Sequence, residues 1–143
     1  MAEYPPFMWQ RTGLAILVGL LLSVRLAVPA AQAQQFTVEL SLDEITLDQG
    51  AVVVTGIVTC STPTRYTDIY VDVRQPVGRF KSVTGGAYAS LGPCEGELPF
   101  SLWIVPWSGA FKSGTAFISA DVSSCIKGAC DGDTSSVVVK LKK

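Results

Sequence analysis

The chain has 143 residues, with 11 Lys and Arg against 12 Asp and Glu, and it contains no His. That length holds one domain of ordinary size, and the balanced charge lacks the basic footprint that nucleic-acid binding requires. Without His, Ser-His-Asp and Cys-His catalytic units and histidine-rich zinc sites are excluded.

Residues 13–24 read GLAILVGLLLSV, an unbroken apolar run set between Arg11 and Arg25. The run is too short to cross a bilayer core, which takes about 20 apolar residues. It fits the apolar core of a secretory signal, about 7–15 residues long, and Ala31-Gln32-Ala33 supplies the small-x-small cleavage site. The sequence therefore predicts an N-terminal signal helix within residues 1–33, cleaved after Ala33, and a secreted domain of residues 34–143 with no stable membrane insertion. An uncleaved N-terminal anchor is the alternative. Cleavage removes Glu3, Arg11 and Arg25, so the exported domain is mildly acidic.

Beyond residue 34, short β-branched runs alternate with Gly, Pro, Ser and Asp at roughly ten-residue spacing, and no helical period is sustained. Residues 36–42 alternate strictly, with Phe36, Val38, Leu40 and Leu42 on one face. The same period of two runs through residues 51–60 and 67–75. Residues 80–91 carry Gly85 and Gly86 and predict a bend or an edge strand. Residues 98–105, 115–122 and 136–142 complete the set. Seven short strands with one apolar face each predict an all-β fold, a seven-stranded antiparallel immunoglobulin-like β-sandwich.

Four cysteines in an exported chain are expected to pair, and three pairings are open. In such a sandwich the second and fifth strands are antiparallel neighbours. Cys60 ends the second and Cys94 precedes the fifth, while Cys125 and Cys130 flank the last hairpin. The fold thus predicts Cys60–Cys94 and Cys125–Cys130.

The aromatic stretch 103–111 holds the main candidates for binding. Trp107 and Phe111, with Trp103 and Tyr70, offer flat apolar area and polar tips suited to a sugar or a small hydrophobic ligand. The competing reading is packing. The phase of Phe100, Leu102 and Ile104 turns Trp103 outward and leaves Trp107 in a Pro/Gly turn. Asp131-Gly132-Asp133-Thr134 reads as a hairpin turn rather than part of a calcium loop, so no metal site and no cofactor are expected. Asp43 and Glu44 are adjacent on a strand and so point to opposite faces, which does not suit a glycosidase pair. Lys140, Lys142 and Lys143 read as a solvated edge.

Val54-Thr-Gly56-Ile-Val-Thr-Cys60, Gln75 at a strand end, Cys94-Glu-Gly96 ahead of the Trp103 strand, and Phe111-Lys-Ser-Gly114-Thr-Ala116 before a Cys-flanked final hairpin resemble a group of small secreted bacterial Ig-like domains of unknown function. The resemblance implies secretion, two disulfides and a bacterial source, and it transfers no catalytic or binding residues. Cys125-x-x-x-x-Cys130 before a last strand is also similar to the enediyne-chromophore carrier proteins, although the first cysteine pair here spans 34 positions where the carriers have a short loop. The expectation is a secreted, non-enzymatic structural or interaction module whose partner is an extracellular protein or glycan. An extracellular carbohydrate or small hydrophobic ligand binder is the alternative.

Overall fold

The computed structural model of the chain describes residues 36–143. The expected signal segment, residues 1–33, lies outside the described residues. Seven strands form where the period of two is strongest: β1 (Val38–Asp48), β2 (Ala51–Cys60), β3 (Tyr66–Pro76), β4 (Ser82–Gly92), β5 (Gly96–Ile104), β6 (Gly114–Ile126) and β7 (Ala129–Leu141). All pairings are antiparallel, in a three-stranded sheet ordered β1-β2-β5 and a four-stranded sheet ordered β4-β3-β6-β7.

Alternation decides which residues meet between the sheets. Val52, Val54 and Val58 of β2 join Phe100, Leu102 and Ile104 of β5 on one side, and Ile69, Val71 and Val73 of β3 join Ala116, Ile118, Ala120 and Val122 of β6 on the other. Each large aliphatic residue buried here stabilises the fold by about 1.5–3 kcal/mol.

Two hairpins set the register through two-residue turns with positive φ at both central positions, as type I′ turns require. Gln49 (48°) and Gly50 (84°) join β1 to β2, and Lys127 (41°) and Gly128 (87°) join β6 to β7. The second hairpin corrects an expectation. Asp131-Gly132 is not a turn but lies inside β7, because the turn is already made at Lys127-Gly128 and Cys130 stands opposite Cys125 in the ladder. β7 therefore begins seven residues earlier than its β-branched run suggests. A register shift between Leu42 and Ile45 carries β1 on to Asp48, and within this bulge Asp43 and Glu44 are both exposed.

The disulfides are Cys60–Cys94 (Cα–Cα 6.1 Å) and Cys125–Cys130 (4.1 Å), as expected. They lie at the same end of the domain, joined by a buried hydroxyl cluster. Ser124 Oγ is 2.7 Å from Thr64 Oγ1 and 2.8 Å from Thr67 Oγ1, and Cys94 N–H donates to Thr64 Oγ1 at 3.2 Å. Buried hydroxyls are tolerable there because each finds a partner.

The opposite end is closed by the long connection between β5 and β6. Gln75, 2% exposed, donates through Nε2 to Lys112 O at 2.6 Å and accepts from Lys112 N–H at 2.9 Å. Phe111 N–H donates to Gly50 O at 2.9 Å. Those anchors drive the Phe111 ring into the core, where it is 2% exposed. Phe111 is thus a packing residue and not part of an exposed platform.

Candidate functional site

The outward positions of the four-stranded sheet are fixed by register, since opposed residues share a face. One row across the sheet reads Val138, Phe117, Arg74, Thr84 from β7 to β4. The next reads Ser136, Ser119, Asp72, Gly86, and the third reads Thr134, Asp121, Tyr70, Tyr88. Phe117, Val138, Tyr70, Tyr88 and, nearer the disulfide end, Tyr66 are exposed large apolar or aromatic residues on this one face.

The face is widened by the chain that leaves β5. Gly85 pairs with Pro106 in an isolated antiparallel bridge, and Trp107 N–H donates to Thr84 O at 2.9 Å. The bridge sets Trp107 opposite Thr84 and Val105 opposite Gly86, so both extend the outer face beyond β4. Trp107 is 70% exposed there. Two adjacent glycines make this possible. A Cβ on Gly85 would sit 2.5 Å from the backbone oxygen of Val105, and one on Gly86 would sit 2.5 Å from Tyr70 Oη and 3.1 Å from its Cζ. The Tyr70 ring therefore leans over the bare backbone of Gly86 and is 39% exposed.

Among the sequence-predicted aromatics, Tyr70 and Trp107 are brought to one face. Trp103 lies on the outer face of the other sheet, opposite Val53, and is 48% exposed. Phe111 is in the core. Sequence reasoning missed Tyr88, Phe117 and Val138. Tyr88 and Phe117 stand out of phase with the buried residues of their strands, which is a legible signal once the strands are assigned.

Polar groups lie between the rings. Thr134 Oγ1 donates to Asp121 Oδ1 at 2.6 Å, and Ser136 Oγ to Ser119 Oγ at 3.2 Å. The Tyr88 hydroxyl bonds the Asp68 carboxylate, which raises the Tyr88 pKa, with desolvation and the Asp68 charge adding to the effect. Burial raises the pKa of Asp72, and the nearby Asp121 charge raises it further. A shallow groove of about 620 Å³ runs over this surface, bordered by Asp72, Arg74, Phe117, Ser119, Ser136 and Val138.

Strand edges offer less. Asp131 Oδ2 accepts from Val38 N–H and Asp133 Oδ2 from Leu40 N–H, both at 2.9 Å, so the edges of β1 and β7 are tied to each other by side chains. Pro99 sits in edge strand β5, where it removes a donor. The Pro106–Trp107 segment occupies part of the edge of β4.

No protein-family model matches the sequence, and no curated protein matches it. The solved structure of Spo0M, the sporulation control protein from Bacillus subtilis, is similar at a TM-score of 0.39 and 16% identity. The match covers 75% of this chain and 50% of that one, so the chain spans about half the length of that protein.

Proposed function

We propose that the chain is an exported, non-enzymatic immunoglobulin-like domain that serves as an interaction module through the outer face of its four-stranded sheet. The observation that carries this reading is the placement of Trp107 and Tyr70 on the same exposed face, while the edges of the strands are blunted. Proteins seldom leave several aromatic rings together in water unless something covers them.

The strand order supports an immunoglobulin-like reading, with the second and fifth strands paired and the third beside the sixth. It differs from the constant-type arrangement in that β4 pairs with β3 rather than joining the first sheet, because the tight turn over residues 77–81, closed by Val77 N–H to Lys81 O at 2.9 Å, folds it back as a hairpin. The two disulfides support export to an oxidising compartment. A shallow groove on an open sheet suits binding, whereas paired-carboxylate chemistry works in a site that sheds water.

The test is retention of the labelled protein on washed cell-envelope material. The protein should be retained, Tyr70→Ala with Trp107→Ala should lower retention at least fivefold, and Trp103→Ala should leave it unchanged. Equal retention of all variants, or none by the parent protein, would contradict the reading.

A further inference from the structure

We propose that this face binds a neutral oligosaccharide, laid across β6, β3, β4 and the Trp107 segment, with Tyr70 and Trp107 as stacking surfaces and Asp72 and Asp121 as hydroxyl acceptors. The inference rests on the interaction-module reading and names the ligand class for the same face.

Geometry supplies the stacking surface. Tyr70 leans over Gly86, where the absence of Cβ lets the phenol approach the strand and leave its ring partly open to solvent. Trp107 lies two outward rows along from Tyr70 and two strands out, so the two rings mark separate points on the face rather than one stacked pair. A pyranose has a C–H face that carries slight positive charge, and it meets the electron-rich face of an aromatic ring favourably while its hydroxyls stay in the ring plane. From Phe117 through Arg74 and Thr84 to Trp107 there are three strand spacings of about 4.8 Å, so the platform is roughly 14 Å wide and exceeds a single ring.

Hydrogen-bonding character selects among ligands. The face carries the acceptor carboxylates Asp68, Asp72 and Asp121 and the hydroxyls Ser119, Thr134 and Ser136, against the cations Arg74 and, at the far end of β7, Lys140. An acceptor-rich, acidic surface matches a ligand rich in O–H donors and carrying no charge. Hydrogen bonds to carboxylates are the stronger kind. An anionic polymer meets like charge here, as Asp72 already does from Asp121. A small apolar ligand wants a pocket enclosing most of its surface, and the groove is shallow. An extended peptide wants a free strand edge, and the β1 and β7 edges are tied together by Asp131 and Asp133.

The experiment is calorimetric titration of the purified protein with cellohexaose, xylohexaose, chitohexaose and maltohexaose, alongside polygalacturonate and an extended nonapeptide. At least one neutral hexasaccharide should bind saturably. Tyr70→Phe should keep that affinity within about threefold because the ring remains, whereas Tyr70→Ser and Asp72→Ala should each weaken it at least tenfold, and Trp103→Ala should leave it unchanged. These positions point outward, and thermal unfolding of each variant verifies folding. Failure of all four sugars, or binding indifferent to Tyr70→Ser, would overturn the inference. If the sugars fail while polygalacturonate or the peptide binds in a Tyr70-dependent way, the ligand class is wrong and the module reading stands. If envelope retention is also absent, both fall.

Discussion

At Gly86 and Gly85 the same missing atom has two different consequences. A Cβ at Gly86 meets the far end of the Tyr70 side chain, which can swing away, whereas a Cβ at Gly85 meets the backbone of Val105 and Pro106, which cannot move without the segment that carries Trp107. Gly86→Ala is therefore expected to leave the unfolding midpoint nearly unchanged while displacing the Tyr70 ring. Gly85→Ala is expected to cost about 1–3 kcal/mol and to detach the Trp107–Thr84 bond. Chemical denaturation and amide exchange at Trp107 check the pair; equal destabilisation would contradict the assignment. Asp72 gives a signed pH effect. Its pKa is raised in the fold by burial and by Asp121, so its ionised form opposes folding, and the opposition is relieved as pH falls through the native pKa. Asp72→Asn should accordingly raise the midpoint at neutral pH, with the advantage vanishing in acid. A constant difference across that range would be inconsistent. Tyr70 was legible in the sequence because it alternates against Ile69, Val71 and Val73. The place of Phe111 was not, since it stands in a non-periodic connection and is buried by tertiary anchors at Gly50 and Gln75.

At the scale of elements, the joint between β1 and β7 replaces a backbone ladder with carboxylates. Val38 and Leu40 are buried and would otherwise hold orphaned N–H groups at an edge. Asp131→Ala with Asp133→Ala should cost about 2–6 kcal/mol, since each unsatisfied buried donor costs about 1–3 kcal/mol, and should speed amide exchange at Val38 and Leu40. Unchanged exchange there would show that β1 is held otherwise. Asp131-Gly132 reads as a turn in the sequence because that dipeptide is a strong hairpin signal in isolation. The two residues left between Ile126 and Ala129 once Cys125 faces Cys130 are what overrule it. Strand existence is legible from period-two alternation in six cases, while residues 80–91 read only as a bend or an edge strand and form the edge strand β4. Strand ends are not legible, because Asp and Gly within β7, and the bulge in β1, break the pattern without ending the strand.

For the molecule as a whole, the two ends are secured differently: disulfides with a hydroxyl cluster at one, Gln75 and Phe111 at the other. Loop-closure entropy gives about 3.8 kcal/mol for the Cys60–Cys94 bridge and about 2 kcal/mol for Cys125–Cys130. Replacing Cys60 and Cys94 by Ser should therefore lower the unfolding midpoint more than replacing Cys125 and Cys130, and equal losses would contradict the ranking. The pairing itself was legible because sheet order puts the end of β2 beside the start of β5. The wide aromatic face was legible only in part, since Trp107 joins it through a bridge that no local pattern encodes. The claim that this face is the binding surface is tested most directly by acrylamide quenching of the Trp9→Phe, Trp103→Phe protein, in which Trp107 is the one remaining indole. Red-shifted, readily quenched emission is expected in the free protein, with protection when envelope material or a binding hexasaccharide is added. Blue-shifted, poorly quenched emission in the free protein, or quenching that does not change on binding, would contradict that claim.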